Sequence, residues 1–353
     1  MFSPNFKINN KVVSHLNKIS EIKALIDSSR ILPKQEIVLK RKAAIRMAQS
    51  STSIEGNLLN QNEVSRVFRG EKIFAPRKDE LEIRNYQLAQ NYIAEALTRR
   101  EPITVQFILK LHSILMTGLL PPEKIGHFRP GPVYIVNVNV KPKKDELVFR
   151  PPKAKTVPRH IDDLLVWLSK TTSEGLSTII QAAIFHYEFV TIHPFSDGNG
   201  RITRLLTTYF LYLKGYEMKK IYVLDSYYNQ DRKKYYTALD TGKDYNQRFG
   251  VDLTPWIEYF LEGFISELNK IREQLDILKF QSKEKGDVFL SQDEVRLVDF
   301  VSHMGRITSA DVVDVLKISK RGAQMKLKRL VDIGILSAQG SGPSSFYTPK
   351  NRG

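Results

Sequence analysis

The stretch His193-Pro194-Phe195-Ser196-Asp197-Gly198-Asn199-Gly200-Arg201-Ile202-Thr203-Arg204 gathers an imidazole, a carboxylate, two glycines, an amide and two guanidinium groups. Upstream of it, residues 178–190 are almost wholly apolar and read as a helix buried at the centre of a domain. Downstream, apolar residues recur at Leu205, Leu206, Tyr209, Phe210 and Leu213, which is helical spacing beginning at Ile202. The stretch therefore joins two core helices, and the fold class it predicts is mainly α. Gly198, Asn199 and Gly200 fall at a helix N-terminus, where free backbone N–H groups and the helix dipole attract anions. The glycines let the chain turn tightly and approach a ligand closely. Arg201 and Arg204 lie three apart and share one helix face beside that terminus. Two cations, a row of amides and a glycine turn suit a polyphosphate. Asp197 can hold a divalent metal that bridges phosphate oxygens, and His193 can take a proton from an attacking hydroxyl.

This stretch resembles the core motif of the Fic family, H-x-F-x-D/E-G-N-G-R-x-x-R, at every specified position. The resemblance implies a Fic-type helical domain that transfers AMP from ATP to a Ser, Thr or Tyr hydroxyl of a target protein, itself included. It also implies roles. His193 is the catalytic base, and Asp197 carries Mg²⁺ between the α- and β-phosphates. Asn199 and the Gly198 and Gly200 amides hold phosphate oxygens, while Arg201 and Arg204 neutralise the departing pyrophosphate. Related proteins use the same fold to remove AMP or to transfer phosphate or other nucleotides, so those activities stay open. A DNA-binding regulator that keeps the fold without turnover is the remaining alternative.

Three further stretches extend the resemblance. Ser51-Thr52-Ser53-Ile54-Glu55-Gly56-Asn57 resembles the family's inhibitory motif, S/T-x-x-x-E-G/N. There the glutamate, here Glu55, pairs with the second motif arginine, here Arg204. A carboxylate on that cation would occupy the group meant for the ATP γ-phosphate. Gly126-His127-Phe128-Arg129, Val133-Tyr134-Ile135 and Pro151-Pro152 resemble the family's flap, a β-hairpin over the active site whose strand edge can align a target by backbone pairing. Residues 226–236 resemble the segment near the nucleotide base. Of the adjacent Tyr235 and Tyr236, Tyr235 is the expected adenine-stacking ring and the other a core residue. His112 and His186 sit in apolar helical stretches and read as satisfied core histidines.

Around these motifs the chain divides into three expected regions. Residues 1–100 form an N-terminal helical region with the inhibitory helix. Its first 35 residues read as a basic lead-in with short helical stretches, and residues 35–49 as a helix that Ser50 to Ser53 break or end. Residues 101–278 form the catalytic domain. Within it, Val133 to Val136 and Glu146 to Phe149 read as strands around a Lys141-Pro142-Lys143-Lys144-Asp145 turn. Residues 253–278 read as a long amphipathic helix and residues 279–287 as a charged linker. Residues 288–353 show three helices and a Gly-rich hairpin, the pattern of a small winged helix-turn-helix domain. Lys317, Lys320, Arg321, Lys326, Lys328 and Arg329 make a basic run there that suits DNA phosphates or protein docking.

Composition bounds the rest. The 353 residues are 42% hydrophobic and 26% charged, as in a globular protein, with a formal net charge of +16. There is no cysteine, which excludes disulfides, thiolate chemistry and Cys-ligated zinc. No apolar run reaches membrane-span length, and the first residues lack a signal-like segment. A cytoplasmic protein is expected, with no membrane partner and with a homodimer compatible.

Overall fold

The computed structural model describes residues 2–29, 31, 33–137, 146–282, 290–340 and 345–350. Among these the helices, in chain order, are α1 (Asn10–Ser28), α2 (Pro33–Ile54), α3 (Gln61–Phe68), α4 (Arg77–Thr98), α5 (Val105–Met116), α6 (Val157–Ser173), α7 (Thr178–Ile192) and α8 (Asn199–Leu213). There follow α9 (Leu224–Gln230), α10 (Arg232–Leu239), α11 (Tyr245–Arg248), α12 (Thr254–Ser282), α13 (Gln292–Met304), α14 (Ser309–Leu316) and α15 (Lys320–Asp332). Two antiparallel pairs complete it: β1 (Ile135–Asn137) with β2 (Glu146–Phe149), and β3 (Leu336–Gln339) with β4 (Phe346–Pro349). The protein is thus mainly helical, as the core stretch predicts. Among the described residues no helix is long and apolar enough to cross a membrane.

Helices α7 and α8 pack against each other in the main core, and nearly every residue of both is buried. Around them close α2, α4, α5, α6, α9 and α12, which supply Ala48, Tyr86, Leu111, Ile161, Tyr228 and Phe260 to the same buried cluster. The N-terminal lead-in differs from expectation. It holds one long helix, α1, capped by Asn9 accepting from the Val12 amide, with Val12, Ile19, Ile22 and Ile26 buried. Those positions recur at helical spacing and lay one stripe along α12.

The serine run also behaves differently. Ser50, Ser51, Thr52 and Ser53 do not break α2; the helix runs through them to Ile54, and all four are buried. Thr52 Oγ1 donates to Ala48 O at 2.8 Å, so a hydroxyl that would compete with the helix in water is satisfied within it. The hairpin forms with Val136 opposite Leu147 and Asn137 opposite Glu146, its first strand starting two residues later than expected. The expected turn at Lys141 to Asp145 lies outside the described residues. So do residues 283–287 of the expected linker, whose first four residues instead continue α12, and residues 341–343 of the Gly-rich hairpin.

A second buried cluster joins α13, α14, α15 and β3 through Leu297, Val301, Val312, Leu327, Leu330 and Leu336. Capping boxes at Ser291 with Glu294 and at Thr308 with Asp311 start two of these helices. Ile37, near the start of α2, is 1% exposed and belongs to this cluster. One helix therefore reaches from the second core at its N-terminal end to the α8 terminus at its C-terminal end.

Candidate active site

The α7 helix ends at Ile192, and His193 caps it in the left-handed region at φ 50 and ψ 60. A non-glycine residue held there is strained, and the surroundings must enforce it. Arg129 does so. It is buried, its Nε donates to His193 O at 2.8 Å, and its two terminal nitrogens donate to Gly131 O at 3.0 Å and Pro152 O at 2.5 Å. The segments flanking the hairpin are thereby clamped to the histidine's backbone. His193 Nδ1 lies 3.1 Å from Val190 O. A carbonyl only accepts, so Nδ1 carries the proton and Nε2 keeps its lone pair. Burial pushes the imidazole down to about 4, against the opposing pull of Val190 O and Glu55, so at neutral pH it is an uncharged acceptor.

The turn after His193 is built by packing and by one amide. Phe195 is buried and stacks on His112 at 3.8 Å with rings 4° apart. His112 accepts from Gly126 N at 3.0 Å and lies 3.2 Å from Asp197 O, so both ring nitrogens are used. Asn199 Oδ1 accepts from Phe195 N at 2.9 Å while Nδ2 donates to Phe195 O at 2.9 Å. The Asn199 side chain therefore shapes the turn; buried and engaged at both ends, it does not present its amide to phosphate as expected. Gly198 stands at φ +79, and a Cβ there would lie 2.6 Å from Met116 Sδ. At Gly200 a Cβ would lie 2.1 Å from Glu55 Oε1. That position can only be glycine while the glutamate sits over it.

The two arginines are both buried and already paired. Arg201 Nη1 donates to Glu82 Oε1 at 3.0 Å, and Nη2 to Asp197 Oδ1 at 3.2 Å. Its Nε is buried without a hydrogen-bond partner. Arg204 Nε donates to Ser51 Oγ at 2.8 Å, and its Nη2 to Ser51 O at 2.8 Å and Glu55 Oε1 at 2.7 Å. Asp225 Oδ1 lies 3.3 Å from Arg204 Nε. Burial works against the charge on Arg204, but Glu55, Tyr235 and Asp225 outweigh it and its pKa is raised. The sequence-read pair of Ser51 and Glu55 thus meets Arg204 from across the chain.

Asp197 is the exposed member, at 53% of its side-chain surface. Its Oδ1 accepts from the Gly198 amide and Arg201. That donor set suits a magnesium ion carried mainly by phosphates and water with one carboxylate. Among the described residues there is no cluster of three or more His, Asp or Glu side chains that would hold a resident metal by itself.

Tyr235 is not at the site surface. It is 1% exposed, its hydroxyl lies 2.9 Å from His186 Nε2, and its ring stacks on Tyr228 at 4.6 Å. With its ring buried against Tyr228 and its hydroxyl engaged, Tyr235 belongs to the core and cannot stack on a base. The adjacent Tyr236 is 49% exposed and is the outward ring of the pair. His186 is fully buried between Tyr235 and Thr207, a satisfied core histidine as read.

A family model described as Fic/DOC matches residues 102–211, the span from α5 through most of α8. Residues 102–211 are thus similar to a Fic/DOC domain. Proteins called protein adenylyltransferase Fic are similar to it. That of Drosophila willistoni is 29% identical over 254 residues, covering 70% of this chain and 47% of the relative. That of Drosophila persimilis is 28% identical over 277 residues, covering 77% and 50%. The chain thus spans about half the length of these curated relatives. Among solved structures, a Fic family protein from Desulfovibrio desulfuricans G20 is similar in fold. It superposes with a TM-score of 0.66 at 24% identity, over 100% of this chain and 99% of that one. A Fic domain containing signaling protein from Bacteroides thetaiotaomicron gives 0.63 at 22% identity, over 77% of this chain and all of that one.

Glu82 and Asp225, buried acids facing the arginines, escape a reading of motifs alone. Arg129 and Asn57 lie inside the flap and inhibitory stretches, but only the structure shows that Arg129 holds the histidine and that Asn57 contacts Glu82. A carboxylate at 82 beside the buried stripe Ile83, Tyr86, Ala89 and Ile93 of α4 is the available signal, because a charge on a core face needs a partner.

Proposed function

We propose that this protein is an adenylyltransferase that moves AMP from ATP to a hydroxyl of a protein, and that Glu55 restrains it. The observation that carries this reading is the Glu55 carboxylate on Arg204 at 2.7 Å, above Gly200 at the N-terminus of α8. An inhibitory contact of that kind has a purpose only if Arg204 serves a phosphate. A target Ser, Thr or Tyr oxygen attacks the α-phosphorus and forms the new P–O bond. The bond from that phosphorus to the oxygen bridging toward the β-phosphate breaks, and pyrophosphate leaves. The hydroxyl proton passes to His193 Nε2, the neutral lone pair held outward by the Val190 contact. The Gly200 amide, in the first turn of α8, is a donor for phosphate oxygens, whereas the Gly198 amide is already taken by Asp197 Oδ1. Asp197 would hold a Mg²⁺ ion, which would supply neutralisation of phosphate charge.

With Glu55 in place, Arg204 cannot take the γ-phosphate, and ATP is held badly aligned for attack. The homologous names support the reaction class, and the intact His193, Asp197, Arg201 and Arg204 set supports turnover over a silent scaffold. Labelling with ATP carrying a radioactive α-phosphate tests it. Glu55→Gly should raise auto-adenylylation, and Glu55→Asp should raise it less. The double variant Glu55→Gly, Arg204→Ala should lose the gain. Labelling of the double variant equal to Glu55→Gly alone would remove Arg204 from the mechanism.

The C-terminal helices and hairpin fit a winged helix-turn-helix module, and Lys317 at the end of α14 and Lys320, Arg321 and Lys328 on α15 are exposed. That face favours an anionic partner, with duplex DNA as the leading reading. Lys326 pairs with Asp293 at 2.9 Å and Arg329 lies 3.3 Å from Glu294. The basic run is therefore partly neutralised from α13, which reduces the charge it can offer a phosphate backbone.

A further inference from the structure

Glu55 lies beyond the end of α2, on a turn made by Glu55 N and Asn57 N donating to Thr52 O at 3.0 and 3.1 Å and by Gly56 N donating to Ser53 O at 3.0 Å. Gly56 stands at φ +97, a backbone that side chains avoid. What holds the turn in place is not the residue after it. Leu58 points into solvent, while Leu59 is buried in the main core. The polar attachment comes from Asn57, which is itself buried. Its Nδ2 donates to Glu82 Oε2 at 2.9 Å and to Asp79 O at 3.0 Å, and its Oδ1 accepts from Leu59 N at 3.0 Å. Both amide hydrogens and the amide oxygen are therefore committed to α4 and to the turn. The other oxygen of the same carboxylate, Glu82 Oε1, takes Arg201 Nη1 at 3.0 Å.

We propose that Asn57 is a second latch for the inhibitory glutamate, and that Glu82 is the positioning residue joining this latch to Arg201. The proposal rests on the adenylyltransferase reading above and adds to it the residues that keep Glu55 seated. Asn57 contacts no group assigned to ATP or to the acceptor. Its loss frees the turn that carries Glu55, while His193 and Arg201 keep their own partners and Arg204 keeps Ser51. Glu82 acts differently. It neutralises one side of Arg201 and leaves the buried Nε free. Without its charge Arg201 is drawn further onto Asp197, so the latch and the phosphate site are linked through one carboxylate.

The two residues separate cleanly in experiment, using the full chain and ATP labelled at the α-phosphate. Asn57→Ala and Asn57→Asp should both raise the initial rate of self-labelling, by roughly 10- to 100-fold, since the charge-assisted hydrogen bond to Glu82 and the bond to Asp79 O are both lost. Asn57→Asp is the variant that keeps side-chain size, and it sets two carboxylates against each other. The double variant Asn57→Ala, Glu55→Gly should label no faster than Glu55→Gly, because the latch acts only through Glu55. Glu82→Gln placed in the Glu55→Gly background should lower kcat more than it changes KM for ATP, because Arg201 is misaligned for the departing pyrophosphate. Amide hydrogen exchange at Glu55 and Gly56 should quicken in both Asn57 variants, a readout that needs no catalysis. Wild-type labelling and exchange in both Asn57 variants, with Glu55→Gly active, would overturn the latch and leave the adenylyltransferase reading standing. A double variant faster than Glu55→Gly would also overturn it. Silence of Glu55→Gly itself would remove the adenylyltransferase reading, and the latch with it.

Discussion

His193 carries the sharpest residue-scale consequence. Its Nδ1 is tied to Val190 O and burial keeps it neutral, so it is already the base the reaction needs. His193→Ala should cut labelling by roughly 10²–10⁴ while ATP affinity stays close to wild type, because the phosphate donors lie elsewhere. Calorimetric ATP binding beside the labelling assay checks both halves. The pH profile is specific as well. A free histidine would lose activity below about 6.5. Here activity of the Glu55→Gly variant should hold well below that value, because burial lowers the His193 imidazole and the variant also lacks the Glu55 charge that pulls it back up. Stability follows the same sign. His193, His112 and His186 have folded values lowered to about 4, 4 and 3, mainly by burial. Between those values and about 6.5 the unfolded chain binds more protons, so stability rises with pH across that window and is lost as pH falls through it. Thermal melts across the window that fail to drop on acidification would contradict the neutral, buried state of these rings.

At the scale of elements, α2 is the decisive helix. Its serine-rich end is helical because three of the four hydroxyls there have a use: Thr52 bonds back to Ala48, Ser51 receives Arg204, and Ser53 receives Arg232 at 2.7 Å. Local propensity at Ser-Ser-Thr-Ser favours a break, and the packing of α2 against α4, α8 and α9 overrides it. Ser51→Ala removes one of three contacts to Arg204 and keeps the Ser51 carbonyl and Glu55. Self-labelling should therefore rise, but by less than in Glu55→Gly, and a direct comparison of initial rates decides it. A rise equal to that of Glu55→Gly would mean that the hydroxyl, not the carboxylate, holds the arginine.

Across the whole molecule, α2 ties the second cluster to the site. Ile37 is buried among Leu297, Val301 and their neighbours, while Ser51 and Glu55 at the far end hold Arg204. Ile37→Ala should cost about 2–5 kcal/mol of stability through the cavity it leaves. Proteolysis or hydrogen exchange should locate the loss in the C-terminal helices, with α7 and α8 little changed. The exposed cations of α15, with Lys317 just before it, make a second whole-molecule test. Binding of duplex DNA should weaken steeply with salt, and Lys320→Glu with Arg321→Glu should weaken it further. Absence of salt-sensitive duplex binding at low ionic strength turns that face into a protein-docking surface.

The sequence alone determined the mainly helical fold and the loop between two core helices, while its resemblance to the Fic family implied the meeting of Glu55 with Arg204. The first two follow from short-range signals: an apolar run of helical period and glycines before a helix start. The tertiary structure decided what depends on which side of a helix faces inward and on partners distant in the chain. Tyr235 and Tyr236 are adjacent, and only packing against His186 and Tyr228 assigns the first to the core. Asn199 looks like a phosphate ligand in the motif, yet closure onto the Phe195 backbone makes it a turn former. Glu82 stands 119 positions from Arg201 and carries no motif. Its role exists because a buried guanidinium and a buried carboxylate cannot be left unpaired in a core, and that requirement takes effect only once the chain has folded.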